Sequence, residues 1–67
     1  MIVYDITVVG SVGPLVLSAL EGFTSRPSGV GLSCLSGELP DQAALLGVLA
    51  RLQDLSVKVV EVVRRPG

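Results

Sequence analysis

The segment Val57-Lys58-Val59-Val60-Glu61-Val62-Val63 constrains the fold more than any other part of the chain. Its β-branched side chains favour an extended backbone, and in a strand alternate side chains point to opposite sides. Val57, Val59 and Val63 are therefore expected on one side, and Val60 and Val62 on the other. The outer face of a half-buried antiparallel strand is normally polar. Here neither side is, and 67 residues are too few to cover both faces of a sheet. The pattern predicts an apolar surface that meets another chain.

Twenty-five of the residues are Val, Leu or Ile. They suit one small domain, residues 1–67, near the size at which a single hydrophobic core just suffices. Domains this small commonly add a disulfide, a metal or a partner chain. Cys34 is the single cysteine and there is no histidine, which removes an intrachain disulfide and the usual zinc sets. No cofactor or metal is expected. Oligomerisation remains, as a homodimer or higher assembly through a sheet face.

The mean hydropathy is high, at +0.71. The longest stretch without a formal charge, Ile6 to Leu20, has fifteen residues and is broken by Gly10, Gly13 and Pro14. A spanning helix needs about 20. A secretion signal carries basic residues before its apolar core, whereas Asp5 stands here. A cytoplasmic chain with no membrane association is expected. Six acidic residues against five basic ones argue against nucleic-acid binding, which needs a basic surface.

Along the chain, Ile2 to Val9 is predicted as a strand, with Ile2, Tyr4, Ile6 and Val8 on one face and Val3, Asp5, Thr7 and Val9 on the other. Gly10-Ser11-Val12-Gly13 breaks it, and Pro14 suits the first turn of a short helix running towards Gly22. Phe23 to Ser28 contains Arg26-Pro27 and fits an irregular edge strand. Val30 to Ser36 is predicted as a strand closed by Gly37-Glu38-Leu39-Pro40. Asp41 is placed to cap a second helix whose apolar stripe is Leu45, Val48, Leu49, Leu52 and Leu55. Gly47 within it is either a tolerated glycine or a point of close backbone packing. Arg64-Arg65-Pro66-Gly67 is expected to be a solvated tail.

This order predicts an α+β fold: a compact ferredoxin-like βαββαβ sandwich, its antiparallel sheet bearing two helices on one face. The other sheet face is then bare unless a partner covers it. Within that fold class, Ile6-Thr7-Val8-Val9-Gly10-Ser11-Val12-Gly13-Pro14-Leu15 resembles the strand–turn–helix of ACT-like domains. The resemblance implies a small module that associates through its sheet and binds an amino-acid-like ligand at the glycine turn, here Gly10, Ser11 and Gly13. ACT turns commonly carry an acidic or amide residue before the glycine, where this turn has Ser11 and Val12. The chain is also similar over most of its length to short, stand-alone, uncharacterised proteins of actinobacterial type. Gly10-Ser11-Val12-Gly13-Pro14, Leu35 to Leu45 and Leu49 to Leu55 carry that likeness.

Sites of chemistry are sparse. The Gly10–Gly13 turn has neither the third glycine of a dinucleotide fingerprint nor the Lys-Ser/Thr pair of a phosphate loop, so it reads as a tight structural turn. Cys34 has no histidine to activate it and fits a small buried residue. Asp5 is the least expected charge, since it belongs to a central strand. Its anticipated role is as half of an ion pair, with Lys58 or with an arginine of another chain.

The expectation from sequence is thus a non-catalytic oligomeric module with no enzymatic activity, a scaffold or accessory subunit whose partners are its own copies and a larger protein. Val3, Asp5, Val9, Val60 and Val62 are the expected interface residues. The alternatives are an ACT-type sensor with its ligand near Gly10–Gly13, and a minimal cofactor-free isomerase or oxygenase.

Overall fold

A computed structural model describes residues 1–66. Strand β1 (Ile2–Val9) is followed by helix α1 (Pro14–Ser18), strands β2 (Thr24–Pro27) and β3 (Leu32–Leu39), helix α2 (Gln42–Asp54) and strand β4 (Val59–Arg65). The fold is α+β. The four strands form one sheet in the order β2-β3-β1-β4, and every neighbouring pair is antiparallel.

One face of the sheet carries the core. Tyr4, Ile6 and Val8 of β1 and Leu35 and Leu39 of β3 are buried with Leu20, Phe23, Leu45 and Leu52. Val16 and Leu17 of α1 and Ala44, Val48 and Leu49 of α2 pack around this cluster, so both helices lie on the same side. Asp41 caps α2 as its sequence position suggests, accepting the Ala44 N–H at 2.8 Å. Of the predicted stripe, Leu45 and Leu52 are buried and Val48 and Leu49 partly so, while Leu55 is exposed at the C-cap. A side chain at Gly47 would meet open space, which leaves the tolerated-glycine reading and overturns close backbone packing.

α2 ends in a Schellman motif. Ser56 adopts φ of 60°, its N–H donates to the Gln53 carbonyl, and the Val57 N–H donates to the Leu52 carbonyl at 2.9 Å. Val57 is thereby held against the helix end instead of opening the last strand, which begins at Val59.

Three boundaries differ from the sequence expectation. β3 is displaced towards its C-terminal side. Gly29 and Gly31 take φ values of +86° and +70° and turn the hairpin, leaving Val30 outside it and fully exposed. Gly37-Glu38-Leu39 continues the strand because Leu39 is buried opposite Ile2. β4 runs on through Arg64 and Arg65, which lie opposite Tyr4 and Val3, so this segment is strand and not tail. Helix α1 is only five residues long.

The fourth difference changes which residues share a face. Ile6 is opposite Val62, but Val8 is opposite Val59, so β4 has one residue more than β1 across this interval. That β-bulge at Val60 shifts the alternation by one. Val59, Val62 and Arg64 lie on the helix side, and Glu61, Val63 and Arg65 on the open side. The grouping of Val57, Val59 and Val63 on one face is therefore corrected. So is the expectation that Val60 and Val62 extend the Val3/Val9 face. Val63 is the β4 valine that does.

Candidate functional site

The open face is lined by alternate residues of all four strands. β1 presents Val3, Asp5, Thr7 and Val9, β3 presents Leu32, Cys34, Ser36 and Glu38, β2 presents Thr24 and Arg26, and β4 presents Glu61, Val63 and Arg65. A chain of polar contacts runs through its middle from one sheet edge to the other. Arg26 Nη1 donates to Ser36 Oγ at 2.8 Å, and Ser36 Oγ donates to Asp5 Oδ1 at 2.6 Å. Arg65 Nε meets Asp5 Oδ2 at 2.9 Å. Each strand contributes one residue.

Register explains why these residues meet. Asp5 lies opposite Ser36 on one side and Val63 on the other, and Arg65 is two residues beyond Val63 on the same face. Arg26 lies opposite Cys34, diagonal to Ser36. The Asp5 side chain is only 17% exposed, against 50% for Arg65. Both its oxygens are engaged, one by a hydroxyl and one by a guanidinium. This satisfies a partly buried charge, which is costly to leave unpaired. The expected pairing of Asp5 is found within its own chain, with Arg65, and not with Lys58.

Cys34 is buried with 4% exposure, but on the open-face side, outside the cluster under the helices. Its Sγ lies 3.9 Å from Ser36 Oγ. Around the polar strip stand half-buried Val3 and Leu32 and exposed Val9 and Val63, which are covered by neither helix.

Gly10, Ser11 and Gly13 occupy the β1–α1 turn as expected, but the backbone of Gly10 is already engaged. Its N–H donates to the Gly31 carbonyl at 2.7 Å, and its carbonyl accepts Ser33 Oγ at 2.6 Å. Gly10 needs its φ of +89°, a region open to glycine. Gly13 is the N-cap of α1, and its carbonyl accepts the Leu17 N–H at 3.2 Å. This turn is thereby fastened to the β2–β3 hairpin around an open depression of about 260 Å³ that includes Gly10, Ser11 and Ser33.

The sequence does not point to Arg26 or Ser36, and it places Arg65 in a solvated tail. A weak signal exists: each strand places at least two polar or charged residues on the face of Asp5. It becomes visible only after strand order and the β4 bulge are known. Among the described residues, no three potential metal-binding acids or cysteines cluster, and no helix is long and apolar enough to cross a membrane.

No curated protein and no solved structure matches the chain. A family model does, over residues 3–63, and it takes in Asp5, Arg26 and Ser36. The chain belongs to the family described as Domain of unknown function (DUF8691).

Proposed function

We propose that this is a ferredoxin-like βαββαβ domain acting as a non-catalytic oligomeric module, which docks its open sheet face on a second copy and serves as scaffold or accessory subunit to another protein. One observation carries the reading. The charged group at the centre of the open face is engaged through both oxygens by its own chain, while Val3, Val9, Leu32 and Val63 leave apolar surface on the same face that neither helix covers. A general acid or base must reach a substrate proton, whereas both Asp5 oxygens are committed here. Stable interfaces combine apolar contact with polar groups whose hydrogen bonds are satisfied, and this face has that make-up. The strand order β2-β3-β1-β4 supports the ferredoxin-like assignment.

The sensor alternative has less support: the Gly10 N–H and carbonyl are bonded to Gly31 and Ser33, and the carbonyl of Gly13, the glycine that matches the ACT turn, accepts the Leu17 N–H. Light scattering on a size-exclusion column tests the proposal. The expected result is a species of at least twice 6.9 kDa, and Val9→Glu, at a position already 49% exposed, should lower its mass without unfolding it. An assembly indifferent to charge at Val9 would reject face docking. A saturable rise in melting temperature with an amino acid would instead favour the sensor.

A further inference from the structure

The two edges of the sheet are unlike each other. β2 has four residues, all exposed, and ends at Pro27, which cannot donate to a ladder. That edge is blunted in the usual way. β4 has seven residues and no proline, and exposes Val60, Val62 and Val63 by 54%, 36% and 42%. A long edge strand with free backbone groups and exposed valines is a template for another strand. The bulge at Val60 disturbs only the start of β4, leaving Glu61 to Arg65 in regular register with β1.

We propose that β4 pairs with β4 of a second copy about a twofold axis at Val63, joining two four-stranded sheets edge to edge. Backbone direction comes first. The Val9 N–H donates to the Lys58 carbonyl, so the odd-numbered β1 residues turn their backbone groups towards β4. Their partners Glu61, Val63 and Arg65 turn back towards β1. Val62 and Arg64 therefore present their N–H and carbonyl groups outward. An axis at Val63 sets Val62 opposite Arg64 of the partner subunit, twice over, so that all these outward groups pair.

Charge selects the register. An axis at Glu61 or at Arg64 would set a like charge against itself, which is destabilising. An axis at Val62 would set Glu61 against a valine. With the axis at Val63, Glu61 faces Arg65 of the partner subunit and Arg65 faces the partner's Glu61, on the same open side as Asp5. Arg65 holds Asp5 through Nε, which leaves its terminal nitrogens for that second carboxylate. The polar strip from Arg26 to Arg65 then continues without a break into the second sheet. Edge pairing stands apart from face docking, since it uses the rim of the sheet and not the side chains around Val9.

Cysteine cross-linking tests the register. In a Cys34→Ala background, Val63→Cys puts two thiols directly opposite each other in a non-hydrogen-bonded pair, where Cα atoms are about 4.5 Å apart and a disulfide is readily accommodated. Val62→Cys would lie two residues out of register with its counterpart, beyond the roughly 7 Å limit for a bridge. Oxidation should give covalent dimer from Val63→Cys and little from Val62→Cys. Glu61→Arg should weaken the dimer about tenfold, equivalent to about 1.4 kcal/mol. Arg64→Pro, which removes an outward N–H but no bond to β1, should abolish the Val63→Cys cross-link with the circular dichroism of the fold retained. Cross-linking at Val62 in place of Val63, or a monomer at all concentrations, overturns the proposal. A dimer that resists both Glu61→Arg and Arg64→Pro yet dissociates with Val9→Glu overturns it too, while leaving face docking intact.

Discussion

The Phe23 ring lies directly on the backbone of Gly37: a Cβ built on this glycine would stand 2.7 Å from Phe23 Cγ and Cδ1. Gly37 is opposite Tyr4 on the helix-covered side of β3, and Phe23 is only 8% exposed. The glycine thus makes room for the one phenylalanine of the chain to close the core between α1 and β2. Gly37→Ala should cost about 1–3 kcal/mol, the usual range for overpacking a core. Urea unfolding measures it. In a Phe23→Leu background the same change should cost less, because the two positions compete for one volume. Equal costs in both backgrounds would show that the ring does not set the limit.

The Asp5 contacts predict an order of effects. Ser36 Oγ donates to the carboxylate at 2.6 Å within the sheet, and a hydrogen bond to a charged group contributes about 1.5–3 kcal/mol. Arg65 is half exposed, and screened surface pairs contribute about 1 kcal/mol or less. Ser36→Ala should therefore destabilise the fold more than Arg65→Ala does, by chemical denaturation of both variants. The reverse order would mean that the ion pair, and not the hydroxyl, holds Asp5 in place.

How far the sequence foretold this molecule depended on whether the signal was local. The α2 stripe and its Asp41 cap were legible because helix periodicity and capping are set within a few residues. β1 was legible from its alternation, and Pro27 marked β2 as an edge. Alternation alone gives the wrong β4 faces because a bulge is a relationship between two strands, and nothing in Val59-Val60-Glu61 announces which residue is the extra one. Arg64 and Arg65 read as tail because a charged, proline-terminated end resembles solvated chain; only the pairing with Tyr4 and Val3 makes them strand. The polar strip was invisible for the same reason. Its members are separated by up to 60 positions, from Asp5 to Arg65, and only the strand order brings them together.

Gly47 should be improvable. It lies within α2 at ordinary helical backbone, and a methyl group there meets nothing within 4 Å. Glycine in a helix interior costs about 0.8–1.0 kcal/mol relative to alanine. Gly47→Ala should raise stability by about that amount, measured as a higher urea midpoint with unchanged slope. A loss of stability would indicate that the open groove bordered by Gly47, Phe23 and Arg51 closes in solution.

Ser56 predicts the opposite exchange with the same sign. Its φ of 60° places a residue with a Cβ in the left-handed region, at the C′ position of the α2 Schellman motif where glycine is the usual occupant. The left-handed conformation costs an L-residue about 1–2 kcal/mol, partly offset for glycine by the larger entropy it loses on folding. No hydrogen bond from the Ser56 side chain accompanies the turn among the described residues. Its backbone N–H still caps Gln53, and glycine retains that bond. Ser56→Gly should therefore stabilise the domain by about 0.5–1 kcal/mol, whereas Ser56→Val, branched at Cβ, should destabilise it. Thermal unfolding of the three chains side by side tests this. A serine more stable than glycine would mean that the hydroxyl contributes something the helix terminus itself does not require.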